Sequence, residues 1–225
     1  MKYAQILLII GVALCCTVPT AGAASSTPVV LVTGFGPFQN YSVNPSGLIA
    51  EALNGSSIAG ASVVGVVLPV EYNESLAIAV HAIELYQPIL VISCGLNPRA
   101  HDIHVEKIGV NLKRYQKENG RWSLPRRIDP SGPFLRISPL HTRTLVRAIR
   151  DADIPAQQSY YAGMYVCNGL YYQLPGYAHG LNHSLGVGFL HVPLLSSQDP
   201  GGMPLETMVS AVKLAIQNCL GSTCC

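Results

Sequence analysis

Three residues carry the side chains that a thiol-dependent hydrolase needs, and each lies beside an apolar segment. Cys167 supplies a thiol, His191 an imidazole and Glu106 a carboxylate. A thiolate attacks carbonyl carbon, an imidazole takes and returns the proton, and a carboxylate orients the imidazole. Together they would support acyl transfer through a covalent intermediate.

The surroundings of these residues fit that chemistry, although each residue alone also has a structural explanation. Cys167 follows Gly163, which permits a tight turn, and the residues from Cys167 onward are typical of a helix. The positive end of a helix dipole favours the thiolate form of a cysteine. A cysteine or histidine in an apolar segment can instead be inert core, and Glu106 could pair with Lys107 at the surface.

Hydrophobic periodicity predicts alternating strands and helices. The predicted strands are 29–33, 63–70, 89–94, 105–112, 157–160 and 186–192, and the predicted helices are 45–53, 76–85, 140–152, 167–174 and 205–220. A turn at 118–120 predicts a hairpin that ends near Trp122. This order indicates an α/β fold, a single-domain doubly wound α/β/α open sheet that is mostly parallel. Sites in such sheets form beyond the carboxyl ends of the strands.

Composition excludes several classes of function. Fourteen Lys and Arg stand against twelve Asp and Glu, a net charge of +2, with no basic stripe interleaved with aromatics, so no nucleic-acid partner is expected. No paired cysteine or histidine spacing suggests zinc, and the chemistry above needs no metal and no cofactor. A chain of 225 residues suits one domain after removal of a leader.

The N-terminus reads as a secretory signal peptide over residues 1–23. Lys2 supplies positive charge, 6–18 is an apolar run, and the small residues 21–23 suit cleavage near Ala24. The apolar run is shorter than the roughly 20 residues that a membrane span requires, so no stable membrane anchor is expected. The predicted mature domain is therefore 24–225, secreted or in the secretory pathway.

Secretion would have consequences for cysteines and asparagines. Seven cysteines are present and two precede the cleavage point, so an odd number remains and at least one thiol stays unpaired in each monomer. Besides Cys167 these are Cys94, Cys219, Cys224 and Cys225, and their pairing is open. Glycan acceptor motifs begin at Asn40, Asn54, Asn73 and Asn182, which predicts a glycoprotein if the source is eukaryotic.

Four ordered motifs give the sequence a resemblance to the type I pyroglutamyl peptidases, also called pyrrolidone carboxyl peptidases. The resemblance spans about 29–220 and rests on residues 32–38 with 44–46, on 105–111, on 163–168 and on 191–193. It implies a cysteine exopeptidase that removes an N-terminal pyroglutamyl residue from peptides through a thioester. It also implies pyroglutamyl-terminated peptides as partners and leaves a homo-oligomer open.

The resemblance also assigns the site residue by residue. It implies that Cys167 is the nucleophile, His191 the base and Glu106 the orienting acid. Four residues correspond to the substrate-binding stretches of the family: Phe35, Phe38, Leu96 and Val166. Aromatic faces suit a flat, uncharged lactam ring, and an apolar pocket would reject the charged amine of an N-terminal Glu or Gln.

The sequence departs from the family pattern in one region near the site. The family usually has an arginine a few residues beyond the glutamate that supports the oxyanion region, and here Arg114 is nearby but shifted. Two other functions are therefore weighed: a secreted homologue that binds pyroglutamyl peptides without cleaving them, and a cysteine hydrolase of another amide. Turnover of a pyroglutamyl amide, compared with glutaminyl and prolyl amides, would separate these readings.

Overall fold

A computed structural model describes residues 27–117 and 120–221, so the predicted signal peptide and two cysteines, Cys224 and Cys225, lie outside the described residues. Five helices and nine strands occur within these ranges. In chain order they are β1 (Val29–Phe35), α1 (Pro45–Leu53), β2 (Ser57–Ile58), β3 (Ala61–Leu68), α2 (Tyr72–Tyr86), β4 (Leu90–Leu96), β5 (Ile103–Glu106), β6 (Ile108–Val110), β7 (Leu135–Ile137), α3 (Thr142–Arg150), β8 (Ala156–Ser159), α4 (Val166–His179), β9 (Gly186–Val192) and α5 (Leu205–Gly221).

Seven of the strands form one sheet in the order β2-β3-β1-β4-β9-β5-β8. Neighbouring strands pair in parallel except at β2–β3 and at β5–β9, where they run antiparallel. Helices cover both faces because β-α-β connections that join parallel strands must cross over the sheet. The predicted α/β class with a mostly parallel open sheet is confirmed.

Each face of the sheet has its own apolar core. One core lies under α1, α3 and α5 and includes Ile49, Leu145 and Ile216, all fully buried. The other lies under α2 and α4 and includes Ile83 and Tyr171. None of the helices in the described ranges is long and apolar enough to span a membrane.

The single strand predicted over 105–112 is wrong in one respect, because the chain leaves the main sheet in the middle of it. Glu106 is the last residue of β5, and Ile108 begins β6, which pairs with β7 in a separate two-stranded sheet. Lys107 marks the change: its N–H donates to the Ser159 carbonyl at 2.7 Å, while its own carbonyl accepts from Ser138. The short strands β2 and β7 were not predicted.

Residues 113–117 and 120–126 form the two sides of a segment that we call the arm. Antiparallel bridges join Lys113 to Arg126 and Gln116 to Trp122, as the predicted hairpin requires, although the turn residues 118 and 119 lie outside the described residues. The arm packs beside the start of α4. The main-chain N–H of Arg114 donates to the Met164 carbonyl at 2.8 Å.

Candidate active site

The loop after β1 is held by the first residues of α1. Asn44 caps that helix, accepting from the Ser46 N–H at 3.1 Å, and its Nδ2 donates to the Gly36 carbonyl at 2.8 Å. The Ser46 hydroxyl in turn accepts from the Phe35 N–H at 3.0 Å. These bonds fix the backbone that carries Phe35, which explains why two separated motifs of the sequence act together.

The helix that carries Cys167 begins after a left-handed turn. Gly163 has φ of 83°, a conformation that suits glycine, and α4 starts at Val166. Tyr165 occupies the N-cap position and offers no side-chain hydrogen bond to the helix. First-turn amides of a helix lack intrahelical acceptors, so here they are available to an anion beside the thiol.

Asn168 anchors the first turn of α4 to the small sheet. Its Oδ1 accepts from the Val110 N–H, and its Nδ2 donates to the carbonyls of Val110 and Leu112, all at 2.9 Å. The side chain is fully buried. The position of the thiol one residue earlier is therefore set by three hydrogen bonds to main chain.

The Cys167 thiol lies against the backbone of β4 at Gly95. A Cβ atom at Gly95 would come within 2.8 Å of Cys167 Sγ and 2.9 Å of Phe189 Cζ. Only a residue without a side chain leaves space for sulfur there. Gly95 therefore determines how closely the thiol approaches the sheet.

His191 and Glu106 form a buried pair. The distance from His191 Nδ1 to Glu106 Oε1 is 2.8 Å, and the two residues are 6% and 1% exposed. An ionised carboxylate only accepts, so Nδ1 carries the proton and donates it, which leaves Nε2 for the thiol.

The environment of His191 stabilises its charged form. Burial alone would lower the pKa of His191, but hydrogen bonding and charge from Cys167 and Glu106 outweigh it and raise the pKa to about 10. The imidazolium is then the resting form at neutral pH. A charged imidazole beside a thiol favours thiolate, which is the nucleophilic form.

A small pocket opens beside Cys167, and its walls include all four residues predicted to bind substrate. Phe35, Phe38, Leu96 and Val166 line it together with the thiol, around about 260 Å³ of empty space that includes the open mouth. Three further lining residues were not predicted: Asn44, Val70 and Tyr165. The pocket lies at the carboxyl ends of β1 and β4, where open α/β sheets place their sites.

Two of the three missed residues had a signal in the sequence. Asn44 belongs to the 44–46 motif and Tyr165 lies within the 163–168 motif, but the resemblance assigned neither of them to the substrate. Val70 is an apolar residue two positions beyond β3, and nothing in its type or spacing distinguishes it. No ionisable carboxylate, lysine or arginine lines this pocket among the described residues.

Arg114 does not line the pocket, so it does not occupy the position beside the oxyanion that the family's arginine has. Its Nε donates to the Ser123 carbonyl at 2.8 Å, which ties the two sides of the arm together. Tyr72 reinforces the same junction, because its hydroxyl lies 2.7 Å from the Arg114 carbonyl and 3.1 Å from that of Met164. Arg114 therefore stabilises the arm rather than the active site.

Within the described ranges, no group of three or more His, Cys, Asp or Glu side chains is arranged to hold a metal ion. The thiol, the imidazole and the carboxylate instead form a line in which each group contacts the next. Fold and site together define an α/β hydrolytic enzyme of the cysteine peptidase class.

Comparison with known proteins gives the family. The family model described as pyroglutamyl peptidase matches residues 29–221. A pyrrolidone-carboxylate peptidase of Saccharolobus islandicus is 40% identical over 197 residues, covering 84% of this chain and 93% of the relative. One of Klebsiella pneumoniae is 38% identical over 196 residues, covering 83% and 90%.

Solved structures agree with this result. The pyrrolidone carboxyl peptidase of Thermococcus litoralis superposes with a TM-score of 0.80 at 32% identity, covering 86% of this chain and 94% of that one. Pyroglutamyl peptidase I of Bacillus amyloliquefaciens gives 0.81 at 30% identity, covering 87% and 98%. The chain belongs to the pyroglutamyl peptidase family, as its resemblance implied.

Proposed function

We propose that this protein hydrolyses the amide bond after an N-terminal pyroglutamyl residue and releases pyroglutamate. The observation that carries the proposal is the junction of Cys167 and its imidazole–carboxylate pair with an uncharged pocket that fits a small ring. Family membership supports the same substrate, since the relatives are named for it.

The reaction follows from the charges of the site. The Cys167 thiolate attacks the pyroglutamyl carbonyl, and the carbonyl oxygen becomes an oxyanion that first-turn amides of α4 can stabilise. As the C–N bond breaks, the His191 imidazolium gives its proton to the departing peptide amine, and a thioester remains. His191 then takes a proton from water, the resulting hydroxide attacks the thioester, and pyroglutamate and the thiolate are released.

Glu106 acts on this sequence through His191. Its carboxylate holds Nδ1–H and stabilises the positive charge of the ring, which keeps Nε2 directed to the sulfur. The apolar walls supply selectivity, because the protonated amine of an N-terminal Glu or Gln would lose its hydration there without a counter-charge. The pyroglutamyl lactam carries no such charge.

The test is release of a fluorophore from pyroglutamyl aminomethylcoumarin by purified chain with thiol present. We expect turnover that Cys167→Ala abolishes and that His191→Ala lowers at least about a hundredfold. Cys94→Ala is the matched control, because Cys94 is a second thiol, fully buried in the other core, and its loss should leave turnover in place. Folded wild-type chain without turnover would contradict the proposal.

Two measurements distinguish the alternatives. A binding homologue would hold the pyroglutamyl amide stoichiometrically without releasing the fluorophore, whereas our proposal expects a thioester adduct in acid-quenched mass spectra. A hydrolase of another amide would cleave the matching glutaminyl or prolyl reporter at a comparable rate. We expect both of those reporters to stay intact.

We also propose that the chain is secreted after cleavage of residues 1–23 and is glycosylated. The charge and apolar pattern of the leader support export, and all four acceptor asparagines in the sequon motifs are exposed: Asn40, Asn54, Asn73 and Asn182. Expression in a secreting eukaryotic host tests both. We expect N-terminal sequencing to find Ala24 first and glycosidase treatment to shift the mobility of the protein.

We further propose that the protein self-associates through exposed apolar residues, namely Phe134, Leu135 and Ile137. Sedimentation velocity tests this proposal.

A further inference from the structure

The arm carries an uneven share of the charge of the protein. Residues 113–126 contain five Lys or Arg and one Glu, a net charge of +4, whereas the whole chain has +2. The remainder of the chain is therefore net negative by two charges. A concentration of one sign on one segment creates a local field that attracts opposite charge.

The arm contacts two separate parts of the chain at the pocket. Trp122 packs edge-on against Tyr165, a wall of the pocket, with ring centroids 5.1 Å apart. In the second contact, Gln116 Oε1 accepts from Gln39 Nε2 at 3.4 Å, and Gln39 follows the pocket residue Phe38 directly. The arm therefore borders the pocket at two points, where it can meet a peptide that extends beyond the pocket.

Lys113 is the cation of the arm that the aromatic contacts bring close to this mouth. Its Nζ lies 5.6 Å from the ring centroids of both Tyr72 and Tyr115, and the Tyr72 ring lies 5.7 Å from that of Tyr165. Lys113 makes no ion pair with a carboxylate in the described part of the chain. Its charge is thus not neutralised by the fold.

One acidic group near the mouth opposes this field. Glu71 lies close enough to Tyr165 to act on its hydroxyl. Its carboxylate accepts from the N–H groups of Asn73 and Glu74 at 2.8 and 2.7 Å, because Glu71 caps α2. The helix N-terminus therefore offsets part of that negative charge.

Substrate chemistry makes this charge selective. A pyroglutamyl peptide has no charged amine at its N-terminus, so its charge comes only from the part that follows the scissile bond. We propose that the arm, with Lys113 foremost, is the subsite for the leaving peptide and selects pyroglutamyl peptides with a carboxylate close behind the scissile bond. This inference rests on the proposed function and concerns the same site.

Peptide pairs of equal size test the selection. The first pair tests a side-chain carboxylate: it compares pyroglutamyl-alanyl-glutamate amide with pyroglutamyl-alanyl-glutamine amide. The second pair tests a C-terminal carboxylate: it compares pyroglutamyl-alanyl-alanine as the free acid with the same peptide as its amide. At about 10 mM salt we expect kcat/KM three- to tenfold higher for the carboxylate member of at least one pair, which identifies the source. At about 1 M salt the ratio should approach one, since the Debye length falls to a few ångströms.

Variants locate the effect. Lys113→Gln should reduce the ratio at low salt at least twofold, and Lys113→Arg should restore it. Arg147→Gln is the matched control, because Arg147 is exposed on α3, across the sheet from α4, and should leave the ratio unchanged. The neutral fluorogenic reporter, measured on every variant, shows that each is folded and active.

The outcomes separate the two proposals. Wild-type chain that cleaves the reporter but shows a ratio of one, or a ratio that Lys113→Gln does not change, overturns the inference alone. An equal reduction by Arg147→Gln also overturns it, because net charge would then explain the effect without the arm. Chain that does not cleave the reporter at all overturns the proposed function, and the inference falls with it.

Discussion

Replacing Gly95 by alanine adds one methyl group at the point where the Cys167 thiol meets the sheet. The new Cβ would lie 2.8 Å from Cys167 Sγ and 2.9 Å from Phe189 Cζ, about 1 Å closer than an ordinary contact. Phe189 is fully buried and has little room to move, so the sulfur must give way. Displacement of a reacting atom by about 1 Å costs roughly a hundredfold in rate.

We therefore expect Gly95→Ala to lower kcat on the fluorogenic reporter about a hundredfold. Overpacking of this size costs about 1–3 kcal/mol in free energy of unfolding, so the variant should still fold. Kinetics and urea unfolding on the same preparation separate the two effects. The loss of rate should exceed what the unfolded fraction explains.

Gly188→Ala provides the control. Its Cβ would meet Leu140 Cδ1 at 2.6 Å and Ile92 Cδ1 at 3.1 Å, so it overpacks the other core of the same sheet without touching the thiol. It should lose stability by a similar amount while kcat stays within about threefold of wild type. Folded Gly95→Ala with wild-type kcat, or equal losses of kcat in both variants, would refute the reasoning.

Three other changes follow from the same geometry. Glu106→Gln removes a group that raises the pKa of His191. We therefore expect kcat to fall roughly 10²- to 10⁴-fold and the alkaline limb of the kcat/KM profile to move to lower pH. An alkaline limb that stays in place would contradict this. Because folding raises the pKa of His191 from 6.5 to about 10, its protonation stabilises the wild-type protein fully below pH 6.5, and that stability is lost between pH 6.5 and 10. Urea unfolding toward the upper end of this window should show a decline in the free energy of unfolding that is smaller in His191→Gln. Asn168→Ala leaves main-chain groups of the small sheet unpaired and should cost about 2–4 kcal/mol in free energy of unfolding, measured by urea. Asn168→Asp should lose no less, because its second carboxylate oxygen would face the carbonyls of Val110 and Leu112 with no proton to donate.

The sequence was sufficient for elements whose pattern is local. Strand β9 was predicted with its observed bounds, and α5 within one residue, because seven buried residues in a row and a long amphipathic helix leave little choice. The predicted pocket walls Phe35 and Phe38 came from a family motif rather than from periodicity. Their common wall with Leu96 is a product of the parallel pairing of β1 with β4.

Other features depend on contacts between distant residues, which a single sequence does not display. The break at Lys107 leaves no signal in the pattern of residues 105–112, since it is caused by hydrogen bonds to Ser159 and Ser138. Strand β2 has two residues, and β7 is a three-residue strand with two exposed side chains, too short and too exposed for a periodic signal. The stabilising role of Arg114 likewise depends on its hydrogen bond to the carbonyl of Ser123 on the other side of the arm.

The direction of β5 explains how the buried pair of His191 and Glu106 arises. The sequence determines this direction through the length of the connection between β4 and β5. Only residues 97–102 separate β4 from β5, too few for the crossover of a dozen or more residues that a parallel partner needs. Strand β5 must therefore start at the end of the sheet where β4 stops, and it runs antiparallel to β9, which lies between them. With His104 opposite His191, Glu106 lies two residues further toward the middle of the sheet, where it is 1% exposed. A parallel β5 would have ended at the solvent-facing edge, where water and salt would weaken the carboxylate's hold on the imidazolium. The reversed strand thus gives His191 a buried carboxylate partner, which together with Cys167 raises the pKa of His191, as the proposed chemistry requires.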